Sequence, residues 1–301
     1  MLSTQIFNKS RLFHVGIKID ENAVFSILIP TWNNLDLLKI CVESIEKNSH
    51  FKHQILIHIN QGTDGTLEWV KAKNYSHTQS IKNVGVCYAL NALSKLSNTE
   101  YILYINDDMY ACPNWDKYIM DAINEQGDEY FYFSGTMIEH SGTKNKCVIS
   151  PFNFGTSPDN FEEEKLLDFL KTTTKTDWFG ASWPPSIVHK KMWDKVGGYD
   201  VEYSPGFGSD PDFSMKLWDT GVRNFKGIGK SLVYHFQSKS TVKVVKNNYR
   251  KTFATKWRIT SSFFYKSVLR LGDDYDGKKL VYKKNLYYFV NKLKAIYLKI
   301  K

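Results

Sequence analysis

Along the first two thirds of this chain, strand-like and helix-like segments alternate, predicting an α/β fold with a mostly parallel sheet flanked by helices. Two observations carry that expectation. Short, continuous apolar runs rich in β-branched residues, the kind buried on both faces of a sheet, alternate with stretches whose apolar residues recur at helical spacing. Polar clusters follow three of these runs directly, and open α/β sheets bind ligands beyond the carboxyl ends of their strands.

The elements follow in order. Residues 24–29 (VFSILI), ended by Pro30, read as a buried strand. Leu37, Leu38, Cys41, Val42 and Ile45 then mark one helical face, with Asn33 or Asn34 placed to cap it. Residues 55–59 (ILIHI) predict a second strand, and residues 66–72 the beginning of another helix. Val86, Ala89, Leu90 and Leu93 define a third helical face, and residues 101–105 (YILYI) a third strand. Pro113 suits the first turn of a helix continuing through Ile119, Met120 and Ile123, and residues 130–133 are strand-like. Residues 141–176, polar with Glu162, Glu163 and Glu164 in a row, predict an insertion or a mobile loop over the site. No internal repeat or low-complexity linker appears.

Composition narrows the class. With 301 residues, 42% hydrophobic and 15% aromatic, the chain can bury a substantial core and is neither disordered nor fibrous. Its +9 charge is unevenly spread: residues 241–301 hold 16 Lys and Arg against three Asp, while residues 1–240 hold 24 against 28 acids. An acidic body with a basic tail argues against a nucleic-acid coat. Four scattered cysteines show no CxxC spacing, so neither zinc ligation nor a disulfide framework is expected, and a reducing compartment fits. The first 19 residues lack an apolar segment of signal-peptide length, and no stretch approaches 18 uncharged apolar residues. The expectation is a cytoplasmic protein whose relation to a membrane, at its inner face, is peripheral. Three regions result: an N-terminal extension (1–23), a catalytic domain (24–240) and a basic, aromatic-rich helical tail (241–301).

Asn106, Asp107 and Asp108 leave the third strand together. Adjacent acids repel, and a divalent cation removes the penalty; hard oxygen ligands favour Mg2+ or Mn2+. A turn with two solvated acids is the alternative.

Taken in order, several weak motifs form a specific pattern. Residues 27–34 (ILIPTWNN), 62–66 (GTDGT), 82–85 (KNVG) with Asn91, and 104–108 (YINDD) are followed by 197–200 (GGYD), 208–212 (GSDPD) and 233–235 (VYH). Over roughly residues 24–240 the chain resembles the GT-A glycosyltransferases of the family-2 type, which transfer a sugar from a nucleoside-diphosphate donor. The resemblance implies a Rossmann-like GT-A fold, an inverting mechanism and a Mn2+ or Mg2+ cofactor. It implies that Pro30, Thr31 and Asn33, with Asn60, Gln61, Asp64 and Asn83, hold the nucleotide-sugar. Asn60 and Gln61 stand where one or two Asp are usual, which leaves the base open. Asp107 and Asp108 match the metal motif, except that Asn106 takes its first position; Asp108 is the expected ligand and Asp107 the sugar-orienting acid. His235 matches a late metal-site histidine, and imidazole mildly favours manganese. Asp210 matches the catalytic base, although Asp before Pro211 also makes a good helix N-cap, with Asp212 supporting it.

The resemblance puts the acceptor near residues 178–185, where Trp183 and Ser182 are the contact candidates and one tryptophan belongs to the core. Glycans or lipid-linked molecules are the expected acceptors. From residue 241, Lys and Arg interleave with aromatics, and Leu286, Phe289, Leu293, Ile296 and Ile300 recur near helical spacing. A basic helix with an apolar face can lie on an anionic membrane, each cation contributing on the order of 1 kcal/mol. It can equally pack on the body as an ordinary helical subdomain; nucleic-acid binding ranks last. Two other readings compete with transfer. A sugar nucleotidyltransferase would want a Gly-rich basic phosphate loop, and residues 24–34 contain neither Gly nor Lys or Arg. A degenerate module binding sugar or membrane without turnover is kept open by Asn106, Ser209 and Asn60.

Overall fold

The computed structural model describes the backbone of residues 13–15 and the whole of residues 21–238 and 246–300. Of the tail, residues 241–245 and 301 lie outside the described residues, as does most of the predicted N-terminal extension.

One ten-stranded sheet organises the body. Its strands are β1 (Phe13–Val15), β2 (Phe25–Trp32), β3 (Gln54–Asn60), β4 (Ser76–Ser80), β5 (Tyr101–Tyr104), β6 (Met109–Ala111), β7 (Phe131–Glu139), β8 (Trp178–Phe179), β9 (Ser186–His189) and β10 (Asn224–His235). The order is β1-β4-β3-β2-β5-β9-β7-β10-β6, with β8 pairing β10. Strands β4, β3, β2 and β5 run parallel, as do β7 and β10. Strand β9 enters antiparallel between β5 and β7, and β1 and β6 are antiparallel edges. The chain builds outward from β2 through β3 and β4, then crosses to β5 on the other side; this switch point is where such sheets open a crevice.

Helices cover both faces because strand side chains alternate. Leu28 and Leu56 point into one core and Ile27, Ile29, Ile57 and Ile59 into the other. The second core is closed by α1 (Leu35–Asn48) and α4 (Trp115–Gln126). The first is closed by α3 (Val86–Ser94), α6 (Lys190–Val196) and α7 (Ser209–Asp219). A short α2 (Thr66–Ala72) links β3 to β4.

The structure differs from the sequence reading in several elements. Strand β2 continues through Pro30, which pairs with His58 in the parallel ladder. The α4 helix begins at Trp115 after Asn114, so Pro113 precedes its first turn. Residues 141–176 are no loop over the cavity: α5 (Glu163–Leu170) packs Leu166 against Leu37, Tyr110 and Tyr234, and Glu163 pairs with Lys47 at 2.7 Å. Phe154 and Phe161 anchor the rest through Tyr234, giving the segment its own small apolar cluster.

The tail splits. Helix α8 (Tyr249–Trp257) and the helical turns after it bury Phe253, Phe263, Phe264 and Leu269 in the first core, whereas α9 (Leu286–Ile300) lies on the outside of α8. No helix among the described residues is long and apolar enough to cross a membrane.

Candidate active site

A cavity of about 580 Å3 opens at the carboxyl ends of β2, β3 and β5, bounded on the far side by residues 205–210 and by the end of β10. Of the residues singled out from sequence, Pro30, Thr31, Asn60, Asn83, Asp107, Asp108, Asp210 and His235 line it. Trp32, part of the 27–34 motif but given no role from sequence, lines it too, as do Phe207, Gln237 and Ser238, which carried no sequence signal.

Three strand ends meet at its metal-like corner. Asp108 immediately precedes β6, His235 ends β10 and Glu139 ends β7; His235 pairs with Met109 on one side and Glu139 on the other. His235 Nδ1 lies 3.0 Å from Glu139 Oε1, and its Nε2 lies 3.4 Å from Asp108 Oδ2. Burial pulls the imidazole down, but hydrogen bonds to Asp108 and Glu139 outweigh it and raise His235 to about 9. Asp108, although burial raises it, is held below the usual carboxylate range by His235 and by the Ser238 N–H, which donates to its Oδ2 at 2.8 Å.

Asp107 behaves oppositely. Burial, then the charge of Asp108, raises it to about 7. Thr31 and Asn34 pull it down without completing hydrogen bonds: Thr31 Oγ1 and Asn34 Nδ2 are buried with no hydrogen-bond partner in the structure. Among the described residues no three His, Cys, Asp or Glu converge as a metal cluster. The corner instead offers a touching carboxylate–imidazole pair beside a second, half-buried acid. That set fits a divalent cation taking two protein ligands and completing its shell with phosphate oxygens and water.

The amides explain two departures from the resembled pattern. Asn60 Nδ2 donates to the Thr31 carbonyl at 3.2 Å while its Oδ1 accepts from Val84 N–H at 2.9 Å, tying the ends of β2 and β3 to the next loop. A carboxylate could not donate to Thr31. Asn106 Oδ1 accepts from Tyr104 Oη at 2.6 Å without adding a third negative charge beside Asp107 and Asp108.

Asn33, Gln61 and Asp64 stand beside the cavity, in the loops that frame it, and do not line it. Asn33 Oδ1 accepts from the N–H groups of Gly62 and Thr63, and Gln61 accepts from Trp32 Nε1. Asp64 Oδ2 accepts from Leu35 N–H at 2.9 Å, so this acid, and no side chain of Asn34, satisfies the start of α1. Asn83 Oδ1 accepts from Gly85 N–H at 2.9 Å, shaping the turn into α3. There the φ of Gly85 is +80°, and a Cβ would come 2.5 Å from the Pro205 Cα. Only glycine allows these two cavity walls to approach so closely.

On the far wall, Asp210 lies in the first turn of α7. Gly208, with a φ of +83°, occupies the cap position, so Asp210 is not the N-cap its sequence suggested. Tyr199 Oη reaches Asp210 Oδ1 at 3.5 Å, and burial outweighs this bond, raising the carboxyl to about 7. Tyr199 is itself fixed: Asn91 Nδ2 donates to its carbonyl at 2.7 Å, Asn91 Oδ1 accepts from its N–H at 2.8 Å, and its ring stacks on Phe213. Asp212 faces away into the tail, accepting from Trp257 Nε1 at 2.7 Å and pairing with Lys256 at 2.9 Å.

The two acceptor candidates are not brought to the cavity wall. Ser182 is buried against Ser214 at 2.7 Å, and half-buried Trp183 meets the Tyr265 ring at 5.9 Å. Trp178 is the core tryptophan, donating to Thr136 Oγ1 at 3.0 Å.

Parallel strands, a crevice at their switch point and an acidic corner facing a half-buried carboxyl define the GT-A architecture. A family profile described as "Glycosyl transferase family 2" matches residues 26–181, and the chain belongs to that family. It is 21% identical over 261 residues to the chondroitin synthase of Pasteurella multocida (strain Pm70), covering 75% of this chain and 26% of that protein. It therefore spans about a quarter of that relative. Among solved structures, S. aureus TarS 1–349 in complex with UDP-GlcNAc superposes with a TM-score of 0.55 at 14% identity, covering 77% of this chain and 66% of that one. GalNAc-T7 with UDP, GalNAc and Mn2+ gives 0.56 at 14% identity, covering 83% and 51%. These likenesses establish the fold.

Proposed function

We propose that the protein is a metal-dependent, inverting glycosyltransferase, moving a sugar from a nucleoside-diphosphate-sugar to a hydroxyl of a glycan or lipid-linked acceptor. The observation that carries this reading is the single cavity lined by Asp107, Asp108 and His235 on one wall and Asp210 on the other. The UDP and UDP-GlcNAc complexes of TarS support a nucleotide-sugar donor, and the Mn2+ with GalNAc-T7 supports a divalent cation.

Asp108 and His235 would hold Mn2+ or Mg2+, which when bound offsets the charge of the diphosphate leaving group. Pro30, Thr31, Asn60 and Asn83 border the space for the nucleoside, and Asn33, Gln61 and Asp64 keep its loops in place. Asp107 orients the sugar through a carboxyl beside the two unpartnered donors of Thr31 and Asn34. Asp210 takes the proton of the acceptor hydroxyl as that oxygen bonds to the anomeric carbon, and the bond from that carbon to the diphosphate oxygen breaks. One displacement inverts the anomeric configuration. Ser182 and Trp183 act behind the acceptor wall, through Ser214 on α7 and through Tyr265.

Release of nucleoside diphosphate from a panel of nucleotide-sugars with Mn2+ tests the reading. One donor should be consumed in the presence of acceptor. Excess chelator and Asp108→Ala should each abolish transfer, and full activity in chelator would remove the metal role.

A further inference from the structure

Helix α9 turns its apolar stripe toward solvent. Leu286, Phe289, Val290, Leu293, Ile296 and Ile300 are each more than half exposed, Leu286 and Ile300 at 80%. The opposite side rests on the body. Asn291 and Ala295 are buried, and Asn291 accepts from Thr260 N–H at 2.9 Å and donates to Thr260 Oγ1 at 3.0 Å. Tyr288 packs against Phe263 and Tyr282 on that same side. Asn291, Ala295 and Tyr288 thus face inward while six large apolar side chains face outward, more exposed apolar surface than a helix that only completes its own core leaves. Single exposed leucines need no explanation, but a continuous stripe does.

The charge around the stripe selects its occupant. Residues 277–301 contain eight lysines and no Asp or Glu. At helical spacing Lys294 falls on one flank of the stripe and Lys292 and Lys299 toward the other. Exposed Tyr297 lies at its border, a side chain suited to the level of lipid headgroups. Two copies of this helix face to face would crowd lysine against lysine. An anionic lipid surface instead pairs the lysines with headgroup phosphates while the stripe enters the acyl boundary.

We infer that α9 docks flat on an anionic membrane surface through Leu286, Phe289, Val290, Leu293, Ile296 and Ile300. Residues 246–280 of the described tail are committed to the body through the first core and do not share this role. The docking stands independently of which reaction the cavity performs.

Co-sedimentation of the purified 301-residue chain with vesicles tests it. The chain should pellet with equimolar phosphatidylcholine and phosphatidylglycerol, stay in the supernatant with phosphatidylcholine alone, and bind at least about tenfold more weakly in high salt. A Phe289→Glu, Leu293→Glu double variant should bind at least about tenfold more weakly while keeping the parent melting temperature, since both side chains already sit in water. Wild-type protein left in the supernatant with both vesicle types overturns the inference, as does a double variant that binds like the parent. So does light scattering that finds a wild-type dimer abolished by the double variant, which would assign the stripe to a second copy.

Discussion

Among the described residues Tyr199 is the one side chain that hydrogen-bonds Asp210, and desolvation raises its carboxyl to about 7 in the fold against an ordinary 3.8. Two pH effects of known sign follow. As a base it works when ionised, so kcat/KM should climb about tenfold per pH unit below 7 and level off above. For stability, folded and unfolded chains are equally protonated below about pH 4; between there and 7 the unfolded chain ionises first, so stability falls as pH rises and the full cost persists above. Asp210→Asn should therefore raise the melting temperature relative to the parent by at least about 2 °C at pH 8 and much less at pH 4, read by calorimetry. The same variant should keep donor affinity within about twofold and lose at least a factor of about 100 in kcat. Normal turnover would remove Asp210 as the base. Asp107, Asp108 and Asp210 were legible because they follow a strand or open a helix; Glu139 was not, because it ends a strand whose sequence signal stops at Phe133. The work of Asn60 and Asn106 was not, because an amide that bridges two loops leaves no periodic trace in sequence.

Among the elements, α8 braces α7. Lys256 joins Asp200 at 2.6 Å and Asp212 at 2.9 Å, while Trp257 donates to Asp212. Asp212 is fully buried, so removing its cation leaves a charge that the Trp257 bond only partly satisfies. Lys256→Met should cost about 3 kcal/mol in urea unfolding, and a change under about 0.5 kcal/mol would reduce the pair to a surface contact. The turn into α3 makes a second prediction. Gly85→Ala places a methyl against the Pro205 backbone at a positive φ, so it should cost at least about 2 kcal/mol and weaken donor binding by displacing a cavity wall. Apolar strands and amphipathic helices could be read from sequence since period alone identifies them. Strand β4 (SHTQS) could not: its pairing with β3 and β1 overrides an unfavourable composition. Strand β9 was missed for a related reason, since four residues carry too little pattern and the place between β5 and β7 is decided by the whole sheet. Residues 141–176 misled because their polar composition hides Phe154, Phe161 and Leu166, widely spaced anchors that converge only in three dimensions.

Across the whole molecule the charge asymmetry acquires a geometry. The acidic body sets Asp107, Asp108 and Asp210 around the cavity, and the basic tail divides into a half that closes the core and a helix that faces outward. Sequence marked the tail as basic and amphipathic but left its direction open, because a helical stripe reads the same whether it faces a core or a membrane. The burial of Asn291 and Ala295, against the exposure of Leu293 and Ile296, decides that direction. In the proposed chemistry one cavity activates an acceptor at Asp210 while Asp108 and His235 hold a cation against the donor. Nucleoside-diphosphate release, measured with donor, acceptor and Mn2+ for the parent and for Asp210→Asn, tests it most directly. The parent should turn over donor in a reaction that chelator abolishes, and the variant should bind donor without turnover. Donor binding without turnover by the parent itself, or equal turnover by both proteins, would contradict it.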